Sequence, residues 1–166
     1  MKTLYFGGQK SGKSNAATVA ALRLSNAKNS KPYYIATYDN SYDDIAMADR
    51  VNKHQKQRLE SFITIEQTIN LPSVMTTGHT YLIDCLSMWL FNNIERTEDD
   101  LIAQLSQLFA LDCDIVFVLN DVGSGVIPMD AQSRRFVDFT GIIGQFVAAQ
   151  CDEVFRVHFG IAQQIK

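Results

Sequence analysis

Three prolines, one tryptophan and three cysteines among 166 residues exclude several classes at the outset. Cys85, Cys113 and Cys151 are odd in number and far apart, which suits neither a disulfide framework nor a clustered metal site. They read as reduced core thiols, and so as the thiols of a cytoplasmic protein. No apolar run approaches the roughly 18 residues of a membrane-spanning helix, so no membrane span is expected. The first apolar stretch breaks at Gly7, too early for a signal peptide. A net charge of −3 without any Lys/Arg block gives nucleic acid no electrostatic footprint, and no nucleic-acid partner is expected. The short basic stretch Lys28 to Lys31 reads as a solvated turn. Internal repeats and low-complexity tracts are absent as well. With 46% hydrophobic and 20% charged residues, the chain has the composition of one globular domain over residues 1–166.

What is present begins at Phe6-Gly7-Gly8-Gln9-Lys10-Ser11-Gly12-Lys13-Ser14. Residues Gly7 to Ser14 fit the phosphate-binding pattern G-x-x-x-x-G-K-[ST] in full. An apolar strand (Leu4-Tyr5-Phe6) precedes it, and a helix-favouring run from Ala16 to Leu22 follows. Glycines let successive N–H groups turn inward, and the helix adds its partial positive charge. Gly7, Gly8, Gln9, Lys10, Ser11, Gly12, Lys13 and Ser14 are therefore assigned to nucleotide binding, with ATP or GTP as substrate. Lys13 is expected at the β- and γ-phosphates as a catalytic group, and Ser14 at Mg²⁺. A chance Gly-Ser turn is the competing reading, and the strand, loop, helix order argues against it.

Further strands are expected at Pro32 to Thr37, Phe62 to Glu66, Thr80 to Asp84, Asp114 to Asn120 and, last, Glu153 to His158. Helices are expected from Ser41, through a capping box with Asp44, towards Arg58, and at Leu86 to Ile94 and Glu98 to Leu108. Phe136, Phe139, Ile143, Phe146 and Val147 recur at helical spacing and predict one more. Near-continuous apolar strands alternating with helices describe an α/β fold with a mostly parallel central sheet covered on both faces. With the phosphate loop this is a P-loop NTPase fold of the RecA-like kind. Ligands in such sheets lie beyond the carboxyl ends of the strands, where the loop, Thr37, Asp84 and Asn120 converge. Asp84 closes an apolar strand at the place a carboxylate for Mg²⁺ is needed.

Several stretches together carry a resemblance. They are Gly7 to Ser14, Tyr34-Ile35-Ala36-Thr37, Met47 with Arg50, Val51 and His54, Asp84-Cys85-Leu86-Ser87-Met88-Trp89-Leu90 with Asn93, and Asn120-Asp121-Val122-Gly123-Ser124-Gly125-Val126-Ile127-Pro128. Arg134, Phe136, Asp138, Gly141, Gly160 and Lys166 continue the order. The chain resembles the bifunctional adenosylcobinamide kinase/adenosylcobinamide-phosphate guanylyltransferase family of cobalamin biosynthesis over nearly its whole length.

The resemblance implies phosphoryl transfer to the aminopropanol hydroxyl of a corrinoid substrate, then GMP transfer through a guanylyl-histidine. By motif position His54 matches that catalytic histidine, although a lone His in the polar run Lys53 to Arg58 also fits a solvated surface. The resemblance further implies nucleotide contacts at Ala36, Thr37, Tyr38, Gln55, Lys56, Gln57, Arg58, Glu66 and Asp84, and a homo-oligomer, a trimer. His79 and His158 fall outside the matched motifs and read as structural. Lys10 stands where the family usually has Arg, Asp121 where it has Glu, Val137 where it has Arg and Gly144 where it has Asn. A kinase of another small alcohol, or a nucleotide-responsive binding module, are the other functions this sequence suits.

Overall fold

Side chains alternate between the two faces of a strand, and the central strands of this chain are apolar on both faces. Such strands fold only into a sheet covered on each side. The computed structural model describes residues 1–38 and 60–166. Its strands are β1 (Lys2–Gly7), β2 (Tyr33–Ala36), β3 (Ile63–Glu66), β4 (Thr80–Asp84), β5 (Asp114–Asn120), β6 (Glu153–His158) and β7 (Ile161–Gln164). Its helices are α1 (Lys13–Asn26), α2 (Leu86–Asn92), α3 (Glu98–Ala110) and α4 (Ala131–Gln150), with a 3₁₀ turn at Leu71–Val74. The helix expected from Ser41 towards Arg58 lies outside the described residues.

The strands form one sheet in the order β3-β2-β4-β5-β1-β6-β7, parallel except for β7. Ile115, Phe117 and Leu119 of β5 join Tyr81 and Ile83 of β4 on the face packed by α2, α3 and α4. Val116, Val118 and Leu82, from the same strands, point to the other face and meet Ala17, Ala20 and Ala21 of α1. The alanines bring α1 close to the sheet, which fixes where its first turn lies. Each fully buried aliphatic or aromatic side chain contributes about 1.5–3 kcal/mol. Packing of the two faces therefore outweighs any single polar contact in holding the sheet.

Three local features differ from the expectations. α2 ends at Asn92, because the N–H of Asn93 is shared between the carbonyls of Trp89 (3.1 Å) and Leu90 (3.2 Å) and tightens the last turn. The chain does not end its sheet at β6. Phe159 (φ 51) and Gly160 (φ 80) form a two-residue turn that returns β7 antiparallel to β6. Both positive φ values belong to the tight hairpin turn that matches strand twist. Lys28 lies in an exposed turn, as expected, yet its Nζ lies 2.7 Å from Asp114 Oδ2, an ion pair that the local sequence did not suggest.

Asp114 opens β5, and its carboxylate is held by Lys28, by the Met1 amino group (2.7 Å) and by the Thr80 hydroxyl (3.4 Å). Burial alone would raise its pKa, but the hydrogen bonds and charges of Lys28 and the amino group win and hold it below the ordinary value. A depressed carboxyl stabilises the fold above the ordinary carboxylate pKa, and that contribution is lost as pH falls through the lowered value. Urea unfolding followed from neutral pH to about pH 3 is expected to show this decline in the wild type and a flatter one in Asp114→Asn.

Candidate active site

Between the end of β1 and the start of α1 the chain reverses at the carboxyl edge of the sheet, and the neighbouring strands leave it little space. A Cβ on Gly7 would stand 2.3 Å from the Val157 carbonyl oxygen. Gly12 has φ 95, and a Cβ there would stand 3.0 Å from Gly160 Cα. Only glycine meets both demands. The loop is then tied from outside. The Asp121 N–H donates to Gly7 O at 2.9 Å, and the Gly160 N–H donates to Ser11 O at 2.8 Å.

The helix that follows is unusual among the long ones for what it lacks. α3 opens with a Thr97/Asp100 capping box, and α4 with Asp130 accepting from the Ser133 N–H. α1 opens at Gly12 with no side-chain cap and no acidic residue in its first turn. Its leading N–H groups and the positive end of its dipole are left to an anion. Ser11 Oγ, buried in the same loop, has no hydrogen-bond partner. Lys13 is only 6% exposed, and its Nζ arches back to donate to Gly8 O at 3.1 Å. A buried ammonium above an uncapped helix end suits a phosphate.

One turn into α1, the Ser14 hydroxyl donates to Asp84 Oδ1 at 3.3 Å. The Tyr34 hydroxyl donates to the other carboxylate oxygen, Oδ2, at 3.0 Å. Ser14 and Asp84 offer two hard oxygens side by side, and no group of three or more His, Cys, Asp or Glu that could hold a metal occurs among the described residues. That donor set suits Mg²⁺, which takes one or two protein oxygens and completes its shell with water and phosphate.

The turn after Asp84 is held by Thr37, which is fully buried. Its Oγ1 donates to Cys85 O at 2.7 Å and accepts from the Cys85 N–H at 3.0 Å. Asn92 Nδ2 in turn donates to Thr37 O at 2.7 Å. Thr37 thus positions Asp84, and its hydroxyl is already engaged. The peptide bond between Asp84 and Cys85 is cis. Burial, and then the Asp84 charge, push the Cys85 thiol up to about 11, so it stays protonated and is no nucleophile here.

The remaining expected residues are placed unevenly. Gln9 and Lys10 are exposed on the loop, and Lys10 has a left-handed backbone (φ 57). Ala36 and Glu66 end β2 and β3, paired in register, with Tyr38 just beyond β2. These strands lie three and four places from β1, which at the usual strand spacing is about 14–19 Å from the phosphate loop. Phosphates alone do not span that, so a nucleoside or a second substrate is what these positions can meet. His54, Gln55, Lys56, Gln57 and Arg58 lie outside the described residues. Gly144 closes α4 against β5, where a Cβ would meet Leu119 Cδ2 at 3.2 Å.

Sequence reasoning named Tyr34 and Ser87 only within the stretches that carry the resemblance and gave no role to them or to Asn92; the Ser87 Oγ accepts from the Asn120 N–H at 2.8 Å. Only the alternation of β2, which puts Tyr34 and Ala36 on one face, hinted at the first. His79 packs edge-on to Tyr33, as a structural residue does. His158 instead lies at the β6–β7 turn that touches the phosphate loop. A cavity lined by Leu22, Asn26, Lys31, Pro32 and Ser61 opens at the far end of the sheet and has no part in the site.

Comparison with known proteins agrees with this geometry. The family described as cobinamide kinase / cobinamide phosphate guanyltransferase matches residues 3–165. The chain is 31% identical over 175 residues to the bifunctional adenosylcobalamin biosynthesis protein CobP of Pseudomonas aeruginosa, covering 100% of this chain and 98% of that protein. It is 28% identical over 188 residues to the bifunctional adenosylcobalamin biosynthesis protein CobU of Escherichia coli, at full coverage of both. In fold it is similar to the flagellar accessory protein FlaH of Methanocaldococcus jannaschii, with a TM-score of 0.55, 17% identity and coverage of 99% of this chain and 77% of that one.

The loop packing separates its two leading glycines. Gly7→Ala must displace the Val157 carbonyl and is expected to cost about 1–3 kcal/mol in urea unfolding. Gly8→Ala, with nothing within 4 Å of the added Cβ, is expected to stay within about 0.5 kcal/mol of wild type.

Proposed function

The chain belongs to the cobinamide kinase / cobinamide phosphate guanyltransferase family, and from that membership we propose how one phosphate loop serves both reactions. The protein is a bifunctional enzyme of cobalamin biosynthesis: it phosphorylates adenosylcobinamide and then transfers GMP from GTP onto the new phosphate. The observation that carries the residue assignments is the contact between Ser14 and Asp84, which joins the loop to the end of β4.

In the kinase step the hydroxyl of the aminopropanol arm attacks the γ-phosphorus of ATP or GTP. The new P–O bond forms as the bond to the β-bridging oxygen breaks and the nucleoside diphosphate leaves. Loop N–H groups, the α1 terminus and the Lys13 ammonium hold the β- and γ-phosphates and neutralise charge that builds on them. Ser14 and Asp84 would hold Mg²⁺, which would supply further neutralisation of the triphosphate, and Tyr34 keeps the Asp84 carboxylate turned to that task. Asp121 takes the proton of the attacking hydroxyl. Its own N–H is bonded to Gly7 of the loop, and Ser124 Oγ steadies its carboxylate at 2.8 Å from each oxygen.

In the transferase step the His54 imidazole attacks the α-phosphorus of GTP, a P–N bond forms and pyrophosphate leaves. An oxygen of the corrinoid phosphate then attacks that phosphorus, and the P–N bond breaks to return the histidine. Arg58, one turn on in the expected helix, steadies the charge, with Gln55, Lys56 and Gln57 beside the nucleotide. Ala36, Tyr38 and Glu66 meet its nucleoside, a role supported by their distance from the loop, while buried Thr37 serves the site only through its hold on the turn after Asp84. Val126, Ile127 and Met129 are each at least 77% exposed after β5 and give a large, mostly apolar corrin a surface to lie on. A homotrimer in the cytoplasm completes the proposal, supported by the exposed Ile161 and Ile165 along the β7 edge and by three unpaired thiols.

The two half-reactions separate in one experiment. Radiolabelled GTP is expected to leave an acid-labile, base-stable adduct on the wild type and on Asp121→Asn, and none on His54→Ala. Phosphorylation of cobinamide is expected to persist in His54→Ala and to fall about 10²–10⁴-fold in Asp121→Asn. A wild type that never labels removes the transferase assignment, and an unimpaired Asp121→Asn removes the base.

A further inference from the structure

The groups assigned to phosphate and Mg²⁺ lie on the loop, on α1 and at the end of β4, and the strand between β1 and β4 is β5. Asn120, the last residue of β5, is paired in register with Gly7 of the loop. Ser14 meets Asp84 across this strand end, so an anion held by Lys13 and that pair lies over Asn120. Alternation along β5 puts the Asn120 side chain on the same face as Val116 and Val118, the face that meets α1. Its backbone N–H is held by Ser87 Oγ at 2.8 Å. Its Nδ2 lies 3.7 Å from Sγ of Cys85, the residue after Asp84. The other end of the carboxamide, Oδ1, is buried and has no hydrogen-bond partner among the described residues. A second buried atom of this kind, Ser11 Oγ, stands 2.9 Å from where a Cβ on Gly7 would be. Buried polar atoms are nearly always matched, and two unmatched ones beside a phosphate loop point to a ligand that matches them.

The two ends of a carboxamide have the same shape, and a half-turn exchanges them. A thiol serves either end, accepting from the NH₂ group or donating its S–H to the oxygen. With an anion in the cup the second arrangement is favoured, because it turns the NH₂ group to the ligand and keeps the oxygen on Cys85. We propose that Asn120 donates through Nδ2 to the γ-phosphate of the nucleotide in the Gly7–Ser14 loop, and so makes the site prefer a triphosphate to a diphosphate. The inference rests on the phosphate-loop reading and adds to it a residue that reads the terminal phosphate. The next residue is Asp121, the base for the hydroxyl that attacks the γ-phosphorus, which brings the γ-phosphate to this strand end. Once the γ-phosphoryl has moved to the corrinoid substrate, the nucleoside diphosphate lacks this contact and leaves more readily. The contact is blind to the base, so it serves ATP and GTP alike.

Titration calorimetry of the full chain with Mg²⁺ present, using GTP and GDP, tests this in wild type, Asn120→Ala and Asn120→Asp. Neither substitution removes the backbone N–H that Ser87 holds. Asn120→Ala is expected to weaken GTP by about tenfold or more and to leave GDP within about twofold of wild type. Asn120→Asp keeps the shape but turns a carboxylate oxygen to the phosphate. It is expected to weaken GTP at least as much as Asn120→Ala does, and to weaken GTP more than GDP. Where circular dichroism shows Asn120→Ala to be unfolded, the GTP and GDP affinities of Asn120→Asp decide. An equal loss for GTP and GDP in a folded variant overturns the proposal, because a residue that only braces the loop would give it. Wild-type affinity for GTP in Asn120→Asp also overturns it, because the amide would then be an acceptor. A wild type that binds neither nucleotide sinks the phosphate-loop reading itself, whereas one that binds both, with Asn120→Ala unaffected, sinks the Asn120 contact alone.

Discussion

Four carbonyl oxygens of the phosphate loop are tied to neighbours where they would otherwise repel an anion. Gly7 O accepts from Asp121, Ser11 O from Gly160, Gly8 O from Ser11 and Lys13, and Gly12 O from Ala16. Backbone N–H and C=O groups point in opposed directions, so tying the carbonyls to neighbours leaves amides free to turn inward. The uncapped start of α1 and the unpartnered Ser11 hydroxyl then add to one electropositive cup. The two close approaches at Gly7 and Gly12 are what permit these ties, and a side chain at either would push β6 or its hairpin away.

The sheet translates that local arrangement into a site with a direction. β1 carries the loop, β5 on one side brings Asp121, and β4 beyond it brings Asp84 to Ser14. Parallel strands put all these ends at one edge, and buried Thr37 and Ser87 hold the β4 and β5 ends in place by bonds to backbone. Because β6 lies next to β1 while β2 and β3 lie three and four strands off, the two flanks of the loop bring different residues to it at different distances.

Much of this was legible in the chain. The phosphate loop, the strand ending at Asp84 and the doubly covered parallel sheet follow from local pattern: a glycine spacing, an apolar run and a period. What was not legible depends on register between distant segments. Nothing near Tyr34 says that its hydroxyl meets Asp84, and nothing near Thr37 says that its hydroxyl closes on Cys85 and not on a ligand. The β6–β7 turn was missed because its first central residue is Phe159, not the Asn or Asp that marks such turns, and because Ile161–Gln164 is exposed along its whole length. Lys28 and Asp114 are 86 residues apart in sequence and meet only through the fold.

The central claim is that this cup binds a triphosphate through Lys13 and the loop amides. Equilibrium titration of Mg²⁺–GTP into wild type and Lys13→Ala, with matched circular dichroism spectra to establish equal folding, tests it most directly. The account predicts saturable binding by the wild type and a loss of at least about tenfold in Lys13→Ala, the effect of removing one charged partner of phosphate. Equal affinity in the two proteins, or no binding by the wild type, would contradict it.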